Sequence, residues 1–528
     1  MENSESKVTN KSNNKFLIII IILSVIIVVL ATLLILNVMK KDNKDNGIVN
    51  STEKTDVTSA YRMSSNNLEN FDLSFLKLEN NNSNMIYSPI SIKYALEMLA
   101  DGSNGTTKQQ INAIIGDYKA NKYSNSSNLS FANALFVKDT YRNSIKEEYT
   151  SMLTTKYNAE IIYDSFTNPN NINSWVNEKT LGLINNAVDS DSLKNNFILF
   201  NALAINMNWK YKLQSGSTDP NVPDIYYNVN YLHEDYSAGI SPLFDEESYH
   251  SLKFNNNKQV KSVEIGASIN NYDIVNTLGR DNIKKTITEE LIEYLNGENP
   301  IWEGDKSEEN INNYVEKFID ALDSNYKDIK VSTDFELYTD DNVKVFAKDL
   351  KEYDGKSLQY IGIMPKEEEL SSYIKNSTST SINNLINNLK EIKLENFTPG
   401  KVTKITGYIP LFKFDYELNL TDDLKKLGVT DVFDESKADL SNLTNDINAY
   451  ISETSHKSTI EFSNDGIKAS AVTEVGGLGD ASAGFEHLYK VPVEIIDMTF
   501  DKPYMFLIRD KSTGEIWFAG TVYEPINK

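Results

Sequence analysis

Residue types able to make or break bonds are sparse in this chain. There are four histidines, His233, His250, His456 and His487, and no cysteine. Without thiols there is no cysteine nucleophile, no cysteine-ligated zinc and no structural disulfide. No histidine stands in an H-E-x-x-H pair, and neither G-x-S-x-G nor a P-loop occurs. Gly476, Gly477 and Gly479 are close together, but no strand–helix unit surrounds them to cradle a phosphate. The sequence therefore predicts no enzyme, no metal site and no cofactor. What it offers instead is a stretch to be acted on. Residues 460–463 read as the end of a buried strand that closes on Asn464, Asp465 and Gly466. Beyond it Ile467, Ala469, Ala471, Thr473 and Val475 alternate with mostly polar residues, the period of a strand with one buried face. Most of these side chains are small, and no proline removes a ladder donor before Val475. The stretch then runs into glycines that favour no fixed conformation. It is written as a strand and followed by a loop.

Such a strand needs a large body to receive it. The 528 residues are 40% hydrophobic and 10% aromatic, ample for a substantial core. A formal net charge of -23 argues against nucleic acid, which requires clustered Lys and Arg. Residues 16–36 form an uncharged apolar run interrupted only by Ser24 and Thr32, long enough to cross a bilayer as a helix. Its exit, Asn37 to Lys41, has no small-x-small cleavage site, so an uncleaved anchor is expected rather than a signal peptide. Lysines flank both sides of the run, so charge sets no orientation. Residues 40–60 are polar with almost nothing to bury and read as a disordered stalk.

From about residue 60 the pattern becomes globular. A short strand runs into Ser88-Pro89, where the proline suits a helix's first turn. The helix carries Ile92, Ala95, Leu96 and Leu99 on one face and stops near Gly102. Residues 84–111, NMIYSPISIKYALEMLADGSNGTTKQQI, resemble the second-helix signature of the serpins, the serine protease inhibitor family. Further segments match in the family's order: 129–138 (LSFANALFVK), 157–160, 172–184 (INSWVNEKTLGLI), 200–213 (FNALAINMNWKYKL), 409–428, 451–466 and 502–525. The similarity spans nearly all of residues 65–528. It departs between Tyr272 and Phe346, where two helical runs, 283–295 and 310–322, suggest an inserted hairpin over about 277–342. Long surface insertions are cheap, since closure entropy grows with the logarithm of loop length. The hairpin reads either as structural decoration or as a binding element.

The resemblance implies an α+β serpin fold: three β-sheets with a large central one, about eight to nine helices and an exposed reactive loop. It implies a suicide-substrate inhibitor whose partner is a serine or cysteine protease; a non-inhibitory member or a surface binding protein is the alternative. Gly466, Ile467, Ala469, Ala471 and Thr473 match the hinge that inserts after cleavage. Family members usually have a small residue where Ile467 stands; its bulk resists the first step, while its apolar character suits the buried face. Family spacing puts the scissile bond at Asp480–Ala481, with Leu478, Tyr489 or Lys490 as alternatives. Ser88, Ser91, Asn201 and His456 match polar positions beneath the central sheet where strands part, and Trp209 matches a packing residue near its top. The expected organisation is a cytoplasmic tail (1–15), a signal-anchor helix (16–39), the stalk (40–60) and a monomeric extracellular serpin domain (61–528).

Overall fold

Ser88 begins the first long helix as its sequence predicts. Its side chain accepts a hydrogen bond from the Ser91 N–H, Pro89 occupies the first turn, and the helix runs Pro89–Gly102. The structure, a computed structural model, describes residues 71–525 apart from 212–213, 216–250, 256–257, 299, 301, 303–304, 325, 328, 332–333, 354, 453, 455, 468–484 and 486–490. The tail, anchor and stalk therefore lie outside the described residues. Among the described residues no helix is long and apolar enough to cross a membrane.

Helix α1 (Phe71–Leu78) and helix α2 (Pro89–Gly102) sit beneath the sheets, tied by Lys93 Nζ to Asp72 Oδ1 at 2.8 Å. Helices α3 (Gly105–Ile115), α4 (Glu147–Tyr157) and α5 (Asn170–Lys179) follow. One sheet has seven strands in the order β1 (Met85–Tyr87), β20 (Ile516–Val522), β19 (Tyr504–Asp510), β12 (Leu358–Pro365), β11 (Val343–Asp349), β10 (Glu336–Thr339) and β13 (Lys390–Glu391). Its β12, β19 and β20 are buried along their whole length, consistent with their nearly continuous apolar runs. A second sheet runs β18 (Val493–Asp497), β14 (Val402–Pro410), β8 (Lys258–Asn270) and β6 (Gln214–Ser215), with β7 (Ser251–Phe254) and β9 (Ile329–Val331) also paired to β8.

The third layer is divided. One ladder is β3 (Glu160–Asp164), β2 (Leu129–Lys138) and β4 (Phe197–Ile205). The other is β15 (Phe412–Leu418), β16 (His456–Phe462), β17 (Gly466–Ile467) and β5 (Met207–Asn208). Only Asn206 separates β4 from β5 in the chain, so the two ladders are halves of one central sheet that diverge below β5. The architecture is the expected α+β arrangement of three sheets with helices around them.

Three further helices, α6 (Ile274–Leu278), α7 (Arg280–Leu295) and α8 (Glu308–Ser324), build a core of their own. Ile283, Ile287, Leu291 and Leu295 of α7 meet Val315, Phe318, Ile319 and Leu322 of α8, each set at helical spacing. Arg280 Nη2 reaches Glu316 at 2.7 Å and Asp320 at 2.8 Å, fastening the pair on its outer side. The interval 277–342 holds this helix pair and also β9 and β10, the latter paired with β11 and β13. Helices α9 (Leu370–Asn376), α10 (Ser379–Asn387) and α11 (Leu420–Lys426) bring the described α-helices to eleven, more than the eight to nine expected.

Candidate functional site

The turn that ends β16 is fixed by its own polar atoms. Ser463 N–H and Oγ–H both donate to the Gly466 carbonyl, at 3.0 and 2.9 Å. Trp209 spans from β5 to this turn: its indole N–H donates to the Ser463 carbonyl at 2.8 Å and its backbone N–H to that of Asp465 at 2.9 Å. Its ring packs on Phe462 and Tyr360 at centroid distances of 5.3 and 6.1 Å. The packing residue read from the sequence thus also clasps the turn that closes on Gly466.

From that turn the chain enters the central sheet. Ile467 pairs with Phe462 on one side and Met207 on the other, while Gly466 pairs with Asn208. A Cβ at Gly466 would lie 2.3 Å from the Met207 carbonyl oxygen, so only glycine allows the strands to approach this closely. Ile467 is 3% exposed and belongs to the main core. Its bulk, expected to resist entry, is already seated on the buried face. Ala469, Ala471, Thr473, Leu478, Asp480 and Ala481 lie outside the described residues, as do Tyr489 and Lys490.

Below β17 the sheet is open. β4 is paired to β2 from Phe197 to Ile205, and β16 to β15 from His456 to Phe462, but among the described residues no ladder joins β4 to β16. A cavity of about 270 Å³ lies between them, lined by Leu203 and Ile205 from one side and Ser458 and Ile460 from the other, with Ile467 at its head. A larger cavity, about 810 Å³, continues downward past Asn201 and His456 to Ser88 and Ser91. Among the described residues the result is a slot whose two walls share no ladder, beginning at Ile467.

The four polar residues predicted from the sequence meet at the bottom of this slot. The Ser88 N–H donates to His456 Nε2 at 3.0 Å, and the Ser91 hydroxyl donates to Asn201 Oδ1. Two partners were missed: Ser458, whose hydroxyl contacts His456 Nε2 at 2.9 Å, and Asn133, whose Oδ1 accepts from Asn201 Nδ2 at 2.6 Å. Their signal was weak, because a single Ser or Asn inside a strand reads as ordinary polarity. A backbone N–H can only donate, so His456 Nε2 bears a lone pair and the ring is the neutral tautomer protonated on Nδ1. Burial pushes the imidazole down to about 4, consistent with neutrality. The cluster joins α2 to both sides of the slot through hydrogen bonds that separation of the strands would have to rearrange.

A family model described as serpin (serine protease inhibitor) matches residues 67–222 and 332–525. The unmatched stretch between them contains α6, α7 and α8. An uncharacterised serpin-like protein of Methanosarcina acetivorans is 24% identical over 496 residues, covering 90% of this chain and 88% of its own. Neuroserpin of Mus musculus is 22% identical over 464 residues, covering 84% and 86%. Among solved structures, the thermophilic serpin tengpin in its native state aligns at a TM-score of 0.54 with 21% identity, covering 90% of this chain and 96% of its own. Thyroxine-binding globulin complexed with thyroxine aligns at 0.52 with 17% identity, covering 89% and 99%.

Proposed function

This chain belongs to the serpin family of serine protease inhibitors, and from that premise we propose that it traps a serine or cysteine protease as a suicide substrate. The protease hydroxyl or thiol attacks the carbonyl of the bait bond, Asp480–Ala481 in the preferred register. An ester or thioester forms, the C–N bond breaks, and the proton leaves on the new amine of Ala481. The severed upstream segment then enters the slot between β4 and β16 as an added strand. Strand insertion by serpin loops is a worked instance of the general rule for strand addition and strain release.

The observation that carries this reading is the pairing of Gly466–Ile467 at the head of an open slot. Extending that register places Ala469 opposite Ile460 and Ile205, Ala471 opposite Ser458 and Leu203, and Thr473 opposite His456 and Asn201. Ile460, Ser458, Ile205 and Leu203 are buried, so the small residues of the alternation fall on the inward face. Lys468 falls opposite Glu461, an opposite-charge pair on the outer face. The polar cluster around His456 then acts as the latch that the advancing strand displaces.

We read residues 16–39 as the membrane anchor, with 1–15 cytoplasmic and the serpin domain outside the cell. Helices α7 and α8 are read as an insertion into the family fold. The test mixes the extracellular part with serine and cysteine proteases that cleave the loop. The expected product is an SDS-resistant covalent complex, with a released fragment beginning at Ala481. Cleavage by every protease tried without such a complex would make this a non-inhibitory member.

A further inference from the structure

Between residues 468 and 490 the structure describes one residue, Phe485. Its ring lies 5.7 Å from Tyr294 of α7 and 6.3 and 6.5 Å from Tyr314 and Phe318 of α8, edge-on or tilted to all three. These are the separations and angles at which the edge of one aromatic ring meets the face of another favourably. The same core takes in Val402 at the start of β14, with Val491 and Val493 on the return into β18. The helices therefore pack where the loop rejoins the body, and one loop side chain is seated between them. Phe318 belongs to the seam that joins α7 to α8, so Phe485 packs directly on the contact between the two helices.

We propose that α7 and α8 form a seat for the downstream end of the bait loop, with Phe485 as its positioning residue and Tyr294, Tyr314 and Phe318 as the receiving surface. This rests on the reading of the loop as bait. The chain is then fixed at two points, Ile467 by strand pairing and Phe485 by the seat, and the span offered to a protease is 468–484. Asp480–Ala481 and the bond after Leu478 lie inside that span. Tyr489 and Lys490 lie outside it, on five residues tied at both ends by Phe485 and the buried Val491. At about 3.5 Å per residue, so short a tether cannot be drawn out and back through a protease cleft. The seat thus determines which bonds are presented. After cleavage it retains the downstream fragment, leaving the upstream strand and its attached protease free to move.

Limited trypsin digestion of the whole extracellular part, timed by mass spectrometry, tests the seat through the Lys490–Val491 bond. Phe485→Ala and Tyr314→Ala are each expected to speed that cut at least tenfold, while Phe485→Tyr restores the wild-type rate. Hydrogen exchange over 482–490 should rise in the same two variants and not in Phe485→Tyr. Should Tyr314→Ala lose helix signal, Phe485→Ala, which lies outside both helices, decides alone. Equal rates in the wild type and Phe485→Ala would overturn the seat. Neither readout involves trapping, so a protected Lys490 without any covalent complex would support the seat while removing the bait reading.

Discussion

Ala471→Arg separates an inserting loop from a passive one. Were the register of Ile467 to extend on insertion, position 471 would face inward between Ser458 and Leu203, which are 6% and 9% exposed. Arginine keeps its charge in any such site, and the two carboxylates that line the cavity, Asp415 and Glu461, alternate with the inward Phe414 and Ile460 and so stand on the outer face. Burying an unpaired charge costs several kcal/mol, and about 3 kcal/mol felt in the insertion transition state slows the step roughly 100-fold. Insertion competes with hydrolysis of the acyl-enzyme, so that delay turns a trap into a substrate. The loop is still cut, because position 471 is well upstream of the bait bond. The assay reacts wild type and variant with a protease that has no preference for basic residues, then measures complex against cleaved inhibitor on denaturing gels. Ala471→Arg should give almost entirely cleaved product at an unchanged cleavage rate. Lys468→Gln, which the same extended register would turn outward, should leave the partition within about twofold, because exposed substitutions cost little. Wild-type complex yield from Ala471→Arg would refute the register.

Gly466→Ala should expel the hinge from between β16 and β5, since its Cβ would sit 2.3 Å from the Met207 carbonyl oxygen; we expect a loss of at least about 2 kcal/mol in chemical denaturation and faster exchange at Gly466 and Ile467. Burial holds His456 near 4 against an ordinary 6.5, so the unfolded chain takes up its proton first. The stability this contributes is complete above about pH 6.5 and is lost as pH falls toward about 4, by up to about 3 kcal/mol. The stability difference between wild type and His456→Ala should therefore shrink over that window. Lys93→Ala strips the partner from Asp72, itself 1% exposed, and should cost about 3–5 kcal/mol in urea unfolding. Replacing both with apolar residues of similar size should recover most of it.

The inward face of Ile467 was legible because alternation has a period of two and a side chain's face follows directly from it. Ile467 obeyed that rule despite its bulk. Helices α7 and α8 were legible for the same reason at a period near 3.6, through Ile283, Ile287, Leu291 and Leu295. Ser88, Ser91, Asn201 and His456 were chosen through family resemblance, and the structure brings them together beneath the slot. Ser458 and Asn133 escaped notice because local sequence does not say which strand residues meet across a sheet. Phe485 escaped for a related reason: it lies more than 160 residues from Tyr314 and Phe318, and one aromatic in a polar stretch carries no periodicity. Contacts between distant segments depend on topology, which patterns only partly encode.

Inhibition by this chain requires the severed loop to become a strand between β4 and β16. The direct measurement is a melting curve of residues 61–528 before and after cleavage within 476–484, paired with hydrogen exchange over 200–205 and 456–461. Insertion predicts a rise of at least about 10 °C, from a net gain of about 5 kcal/mol or more at about 2 °C per kcal/mol, with new protection on both walls of the slot. A cleaved form that melts with the intact protein and leaves both edges exchanging as before would contradict it.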